Sequence, residues 1–303
     1  MQIIGAGLSG LLAARMLYNY KPHIIERQEE LPNNHTALLR FRTDAVSKAI
    51  NIPFKKVTVY KGVLNQHNEI VNYASLADIN AYASKTVDMA SERSIINLAP
   101  GERWIAPDSL ISRLADIALI TYNTDFADAI GGKSIPIIST IPMPTLMDKL
   151  GYPNTLGFSY KPIWTINCTI LDCNVYQTLY IPYDMDMPYR ASITGNKLTL
   201  EFTTECDDAD DMITRILSML YITANYINVE TKFQSYGKIV PIDDNARKTF
   251  ILWATDNFGI YSLGRFATWR RDILLDDILH DIEIIQGFIY QRNEYNRKKV
   301  YVT

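Results

Sequence analysis

The sequence is poor in the residues that staple a protein, span a membrane or give it a field of one sign. It holds three cysteines, Cys168, Cys173 and Cys206, an odd number without metal-ligand spacing. That excludes a disulfide scaffold, gives no metal site, and suits a reducing, cytoplasmic compartment. No apolar run reaches the roughly 18 residues that a membrane-spanning helix requires. The chain opens directly on MQIIGAGLSG, with neither a basic stretch nor a cleavage-like site, so no secretory leader is expected. A formal net charge of −3 provides no global field to draw the chain onto nucleic acid, which leaves only a local basic groove for that role. Histidines number four, and no serine or cysteine hydrolase constellation can be assembled around them. Internal repeats and low-complexity segments are absent as well.

What is present is an ordinary globular composition, 48% apolar and 21% charged. At roughly 100–200 residues per domain, 303 residues imply two domains, or one domain carrying an insertion. Tyrosine is abundant, at 19 residues, and supplies rigid aromatic faces with a polar tip for cores or planar ligands alike.

The first thirty residues carry the strongest signal. Gln2-Ile3-Ile4 reads as a buried strand, Leu8–Tyr20 has apolar residues at helical spacing, and His23-Ile24-Ile25 reads as a second strand after the stop at Pro22. Between strand and helix lies Gly5-Ala6-Gly7-Leu8-Ser9-Gly10, of the form GxGxxG. Such a turn needs Gly5 for its tightness, Gly7 so that backbone can approach a pyrophosphate, and Gly10 for close helix–strand packing. The helix start, including Ser9, offers unpaired N–H groups to phosphate. Glu26, with Arg27 after it, stands 21 positions beyond Gly5, where an acid can accept both ribose hydroxyls. Strand, glycine turn, helix, strand and acid together predict dinucleotide binding. The polar, arginine-containing stretch Leu31–Arg42 follows in place of another βαβ unit, which points away from a single nicotinamide domain and towards FAD.

Beyond this fingerprint the chain resembles the flavoprotein superfamily of UDP-galactopyranose mutases and flavin amine oxidases. The likeness rests on GAGLSG with Glu26; on Asn34–Arg40, in the place of a Gly/Arg-rich loop along the cofactor; on Ile137–Pro142, similar to a strand followed by T-x-P; and on Ser262–Trp269, similar to a late Gly-Arg motif ahead of a helix. Leu179-Tyr180-Ile181-Pro182 followed by Pro188-Tyr189-Arg190 resembles the mutases in particular, where the matching arginine faces the substrate diphosphate. The chain is shorter than those mutases. The resemblance implies an α/β fold: a Rossmann-like FAD-binding domain with an inserted antiparallel β-rich α+β substrate domain. Residues 1–75, 95–150 and 238–303 would form the discontinuous FAD-binding domain, 76–94 a helical insertion and 151–237 the substrate domain.

The coarse pattern agrees with that division. Helices are expected over Ala45–Ile50, Leu76–Met89 and Asp108–Ala118, from Asp207 to about Asn228, and over Ile273–Tyr290. Strands are expected at Val57–Tyr60 with Gly62-Val63, at Arg103–Ala106, Leu119–Tyr122 and Phe250–Ala254, and as an antiparallel set between Gly157 and Thr203 with a hairpin at Thr194-Gly195-Asn196. The acids Asp207–Asp211 suit a helix N-terminus better than a metal.

The resemblance assigns cofactor contacts to Gly5, Gly7, Ser9, Gly10, Glu26, Arg27, Arg40, Gly264, Arg265 and Thr268, with no metal. On the substrate side, Arg190, Tyr180 and Tyr189 are candidates for catalysis or for plain strand packing, and His35 for catalysis or for a solvated loop. Arg40 and Arg42 fit a pyrophosphate, a substrate carboxylate or ordinary surface. Trp269 fits a flavin pocket or the core. Function follows the same resemblance: an FAD-dependent oxidoreductase or lyase that oxidises a C–N bond of an amine or amino acid. The narrowest form of that reading is the phage enzymes of thymidine hypermodification, acting on glycyl-modified thymine in DNA to leave an aminomethyl group. The other readings are a mutase-like sugar-nucleotide isomerase and a flavoprotein that uses FAD as a brace. A small molecule or a modified base, with DNA as a further partner, is the expected substrate, and no membrane is. Oligomeric state stays open.

Overall fold

The computed structural model describes residues 1–32, 38–87, 94–125 and 135–302, with side chains to residue 292. In chain order its strands are β1 (Gln2–Ile4), β2 (His23–Ile25), β3 (Arg40–Phe41), β4 (Lys55–Leu64), β5 (Ile70–Val71), β6 (Gly101–Ile105), β7 (Leu119–Thr121), β8 (Ile137–Ser139), β9 (Tyr160–Ile170), β10 (Val175–Tyr180), β11 (Arg190–Gly195), β12 (Lys197–Phe202), β13 (Tyr226–Ile239) and β14 (Ile260–Ser262). The helices are α1 (Leu8–Met16), α2 (Ala45–Ile50), α3 (Leu76–Val87), α4 (Leu110–Ala115), α5 (Met143–Lys149), α6 (Ala209–Met219), α7 (Asp244–Phe258) and α8 (Asp277–Val302).

Two sheets organise the described residues. The first is parallel and five-stranded, in the order β14-β8-β1-β2-β7. Its inner strands are apolar on consecutive residues because both faces are covered, whereas the edge strand β7 leaves Leu119 exposed. Ile3, Ile24, Ile138 and Tyr261 point into one core with α1, α4 and α8. Their neighbours Ile4, Ile25, Ile137 and Ile260 point into the other, with α5, α7 and Trp269. The period of two along a strand thus builds a three-layer sandwich from three-residue strands.

The second sheet has nine strands, running β13-β9-β12-β11-β10-β4-β6-β3 with β5 beside β4. One face is apolar: Leu179, Ile193, Leu198 and Leu200 pack on Ile213, Ile216 and Leu217 of α6. The opposite face is polar and yet mostly buried, carrying Thr178, Ser192, Thr199 and Glu201. The hairpin between β11 and β12 turns at Gly195, whose φ of +69° suits glycine.

Several boundaries differ from the sequence reading. Phe250–Ala254 lies inside the 15-residue helix α7, not in a strand. Its start is fixed by Asp243, whose side chain accepts from the Ala246 N–H at 2.7 Å. Residues 57–63 form one continuous strand, β4, not a pair. Its first half pairs with β6 and its second with β10. Strands β3, β4 and β6 therefore extend the second sheet well outside residues 151–237. Helix α6 stops at Met219, with Tyr221 at φ +56° just beyond it, ahead of the Asn228 end expected.

Candidate cofactor and active site

The glycine turn has the geometry its spacing implies. Gly5 adopts φ +98°, and a Cβ there would lie 2.3 Å from the Thr140 hydroxyl. Thr140 itself donates from both its hydroxyl and its N–H to the Ile4 carbonyl, at 2.8 and 3.0 Å, which ties the turn to the end of β8. Gly10 is packed so closely that a Cβ would stand 2.0 Å from the Gly5 carbonyl oxygen. Gly7, the N-cap of α1, is the opposite case: a Cβ there would meet nothing within 4 Å, and no side chain caps the helix. The first N–H groups of α1 thus have no side-chain cap, and such uncapped groups can hold a diphosphate.

Glu26 closes the other end of this cradle. Its Oε2 accepts from the Ala6 N–H at 2.7 Å and its Oε1 from the Gln28 N–H at 3.0 Å. Two backbone donors fix the carboxylate at the tip of β2, and each oxygen retains a lone pair for a ribose hydroxyl. Arg27 is exposed next to it. A second turn abuts the first: Gly264 has φ +93°, and a Cβ on it would stand 2.7 Å from the Ser9 hydroxyl. Thr268 donates from its hydroxyl to the Gly264 carbonyl at 2.7 Å, so that group braces the turn. The Arg265 guanidinium lies 5.9 Å from the Phe266 ring centre.

The polar face of the second sheet supplies the charges. Arg190 and Glu201 stand opposite each other across β11 and β12. Their side chains form a two-pronged ion pair, Nε to Oε2 and Nη2 to Oε1, the latter at 2.7 Å. The Tyr189 hydroxyl donates to the same Oε1 at 3.1 Å. Burial alone would raise the Glu201 carboxyl, but Arg190 outweighs it and holds the group below the ordinary range. Burial, helped by the charge of Glu201, pushes the Tyr189 hydroxyl well above its ordinary value. The Lys238 ammonium sits 4.5 Å from the Tyr189 ring centre.

Arg40 reaches this face from β3. Its guanidinium donates to the hydroxyls of Thr194 and Thr178, at 2.6–2.8 Å and 2.8 Å, and to the Ile193 carbonyl at 2.6 Å. Burial, with Arg190 as a second cation nearby, brings its pKa down to about 10. Arg40 is thus a strut from β3 to β10 and β11. Tyr180 is buried edge-on to Tyr82 of α3, with ring centres 5.5 Å apart. Trp269 is core: 1% exposed, it donates from Nε1 to the Val240 carbonyl at 2.9 Å. His35 lies outside the described residues.

Arg40, Arg190, Tyr180 and Tyr189 therefore share one region, and the glycines, Ser9, Glu26 and Gly264 share another. Sequence reasoning missed Glu201 and Lys85. Glu201 was signalled by the only charge within Leu198–Phe202, where every residue is buried. Lys85 is 3% exposed on α3, and its ammonium donates to the carbonyls of Ile181, Tyr183, Asp184 and Pro188 at 2.7–3.3 Å. No cluster of His, Cys, Asp and Glu able to hold a metal occurs among the described residues. No described helix is long and apolar enough to cross a membrane.

No protein-family model matches the chain, and no curated protein matches it. Solved structures do. A reduced UDP-galactopyranose mutase aligns over 96% of this chain and 93% of its own, with TM-score 0.66 and 15% identity. A fatty acid isomerase from P. acnes aligns over 95% and 98%, with TM-score 0.59 and 10% identity. A flavin-dependent brominase aligns over 94% and 80%, with TM-score 0.50 and 13% identity. The fold is that of the Rossmann-type flavoenzymes. At these identities the likeness concerns fold and does not reach substrate.

Proposed function

We propose that this chain is an FAD-dependent enzyme. The observation that carries the reading is the cradle: an uncapped α1 N-terminus with Gly7 open above it, and Glu26 held by two backbone donors at its side. Gly5, Gly7, Ser9 and Gly10 would take the diphosphate, Glu26 the adenosine ribose, and the Gly264–Thr268 turn the neighbouring part of the cofactor. Bound FAD supplies transfer of a hydride or electron pair. The protein's own contribution is orientation and exclusion of water. The Arg190–Glu201–Tyr189 group is locked by its internal bonds, so it positions the sheet face and holds its protons where they are. Tyr189, with its raised pKa, does not act as a base at neutral pH, and Tyr180 packs in the core. That suits oxidation of a free amine, in which no strong protein base is needed.

The finer reading is therefore cleavage of a C–N bond in an amine or amino-acid substrate. The structural neighbours supply no support for glycyl-modified thymine or for DNA, so both enter as arms of the test. Purified chain is reconstituted with FAD and mixed anaerobically with a panel of amines, amino acids and glycyl-modified DNA. Bleaching of the oxidised-flavin band by one of them supports amine oxidation, and a colourless protein that refuses FAD overturns the whole reading. A filter-binding salt titration checks the DNA arm.

A mutase-like isomerisation is the second reading, favoured by the near end-to-end alignment with the mutase. The ion pair with Glu201 commits the Arg190 fork that the resemblance aims at a diphosphate. Turnover of a nucleotide sugar only after flavin reduction, without net redox change, would decide for it.

A further inference from the structure

We infer that the chain carries a second ligand site, for a small organic acid with an apolar body, on the outer edge of the parallel sheet. Strand β14 ends the sheet, and α7 and α8 flank it on its two faces. Between them runs a groove of about 720 Å³, within the roughly 300–1,000 Å³ typical of small-molecule pockets. Strands β8 and β14 separate it from β1 and the glycine cradle, while Thr268, at the far end of the Gly264 turn, forms part of its wall, which is why the test is run with and without FAD.

Two independent features point to a ligand. The first is Ser262, a residue of the groove wall that is 8% exposed and whose buried hydroxyl has no hydrogen-bond partner among the described residues. Buried hydroxyls left unpaired are uncommon and costly. The second is the split character of the walls. Leu252 of α7 and Ile284 and Phe288 of α8 face the groove while 62%, 43% and 53% exposed, an apolar strip that nothing described covers. The lining carries the guanidinium groups of Arg247, Arg270 and Arg292, which outnumber the carboxylates of Asp256 and Asp281. Arg247 bonds to Asp244 and the Thr268 carbonyl, and Arg270 to Asp281 and the Thr268 hydroxyl. Each guanidinium has five N–H donors in a planar fork matched to a carboxylate, and these bonds occupy only some of them. An acid head would meet those guanidinium groups and the serine, and an apolar body would cover the strip.

The test uses the full chain, with and without saturating FAD. Anilinonaphthalene sulfonate, an aromatic acid whose fluorescence reports binding, is titrated first. Decanoate and the neutral decanol are then added as competitors. We expect one saturable site, displaced by decanoate and not by decanol, and unchanged by FAD. Leu252→Glu and Phe288→Glu replace exposed side chains, so the fold should survive; each weakens the probe by about tenfold through like-charge repulsion and lost apolar contact. Ser262→Ala weakens decanoate while the melting temperature holds or rises. Absence of saturable binding, binding indifferent to both Glu variants, equal displacement by decanol, or loss of the site on FAD addition each overturns the inference. A chain that refuses FAD but binds the probe in this pattern sinks the flavoenzyme reading and leaves the groove standing.

Discussion

The two sheets of this molecule accommodate buried polar groups by opposite means. The parallel sheet buries almost nothing charged. Its one acid at the site, Glu26, is bound by backbone N–H groups, and its shape comes from three glycines and short apolar strands. The large sheet, with α3 beside it, buries Glu201 and Lys85, half-buries Arg190 and Arg40, and satisfies them with side chains and carbonyls. A site made from backbone tolerates little added volume, whereas a site made from buried charge tolerates little imbalance. The contrast predicts different failures on the two sides.

The largest expected effect is on the backbone side. In an isolated helix Gly10→Ala would stabilise by about 1 kcal/mol. Here the new methyl would fall 2.0 Å from the Gly5 carbonyl, and the overpacking costs on the order of 3 kcal/mol. The clash wins. Thermal unfolding should show a drop of many degrees and FAD binding should be lost; a wild-type melting curve would mean that α1 and β1 are not so tightly joined.

On the charged side the test is a double-mutant cycle. Arg190→Met leaves the buried Glu201 carboxylate without its partner and should cost about 3–5 kcal/mol, whereas Glu201→Leu strands the half-buried Arg190 and should cost less. The double variant should recover most of it, since two apolar groups replace two charges. Equal losses in single and double variants, read by denaturant unfolding, would show that the pair is held by something other than mutual compensation.

These differences also explain what the sequence disclosed. The cradle was legible because it depends on residues in a row: Gly5, Gly7, Gly10 and Glu26 read off as strand, turn, helix, strand and acid. The polar face was not. Glu201 meets Arg190 only through strand register, and Arg40 reaches Thr178 and Thr194 from more than 130 positions away. Short apolar runs misled for another reason. Phe250-Ile251-Leu252-Trp253-Ala254 lacks a period, so length and caps must arbitrate, and the Asp243 cap was the overlooked sign of a helix. Lys85 shows no signal at all in sequence, because its partners are carbonyls.

Lys85 supplies a pH-dependent prediction. Burial brings its ammonium down to about 8, against an ordinary value of 10.5, with Asp184 and Asp186 opposing that shift. Between those two values the unfolded chain holds the extra proton, so stability rises with pH there. Below about pH 8 both states are protonated, and the folded one bears the full cost of the buried charge. Lys85→Met lacks this dependence. The stability of wild type relative to Lys85→Met should therefore climb from pH 8 to 10.5 and stay level below it; a falling difference would mean that the four carbonyls hold the charged form more strongly than burial opposes it.

The smallest stability effect belongs to Gly7→Ala, and it separates fold from function on the backbone side. Gly7 has φ −70° and ψ 176°, which alanine adopts freely, and its Cβ would touch no other group of the chain. Alanine is the poorer N-cap, at a cost of about 0.5 kcal/mol. The methyl would nevertheless project where the diphosphate must approach the α1 N–H groups, so FAD affinity should fall by about tenfold or more. Gly10→Ala loses cofactor by deforming the cradle, and Gly7→Ala loses it by filling the cradle. A Gly7→Ala protein with unchanged melting and unchanged FAD titration would move the diphosphate away from this turn, and with it the observation on which the FAD reading rests.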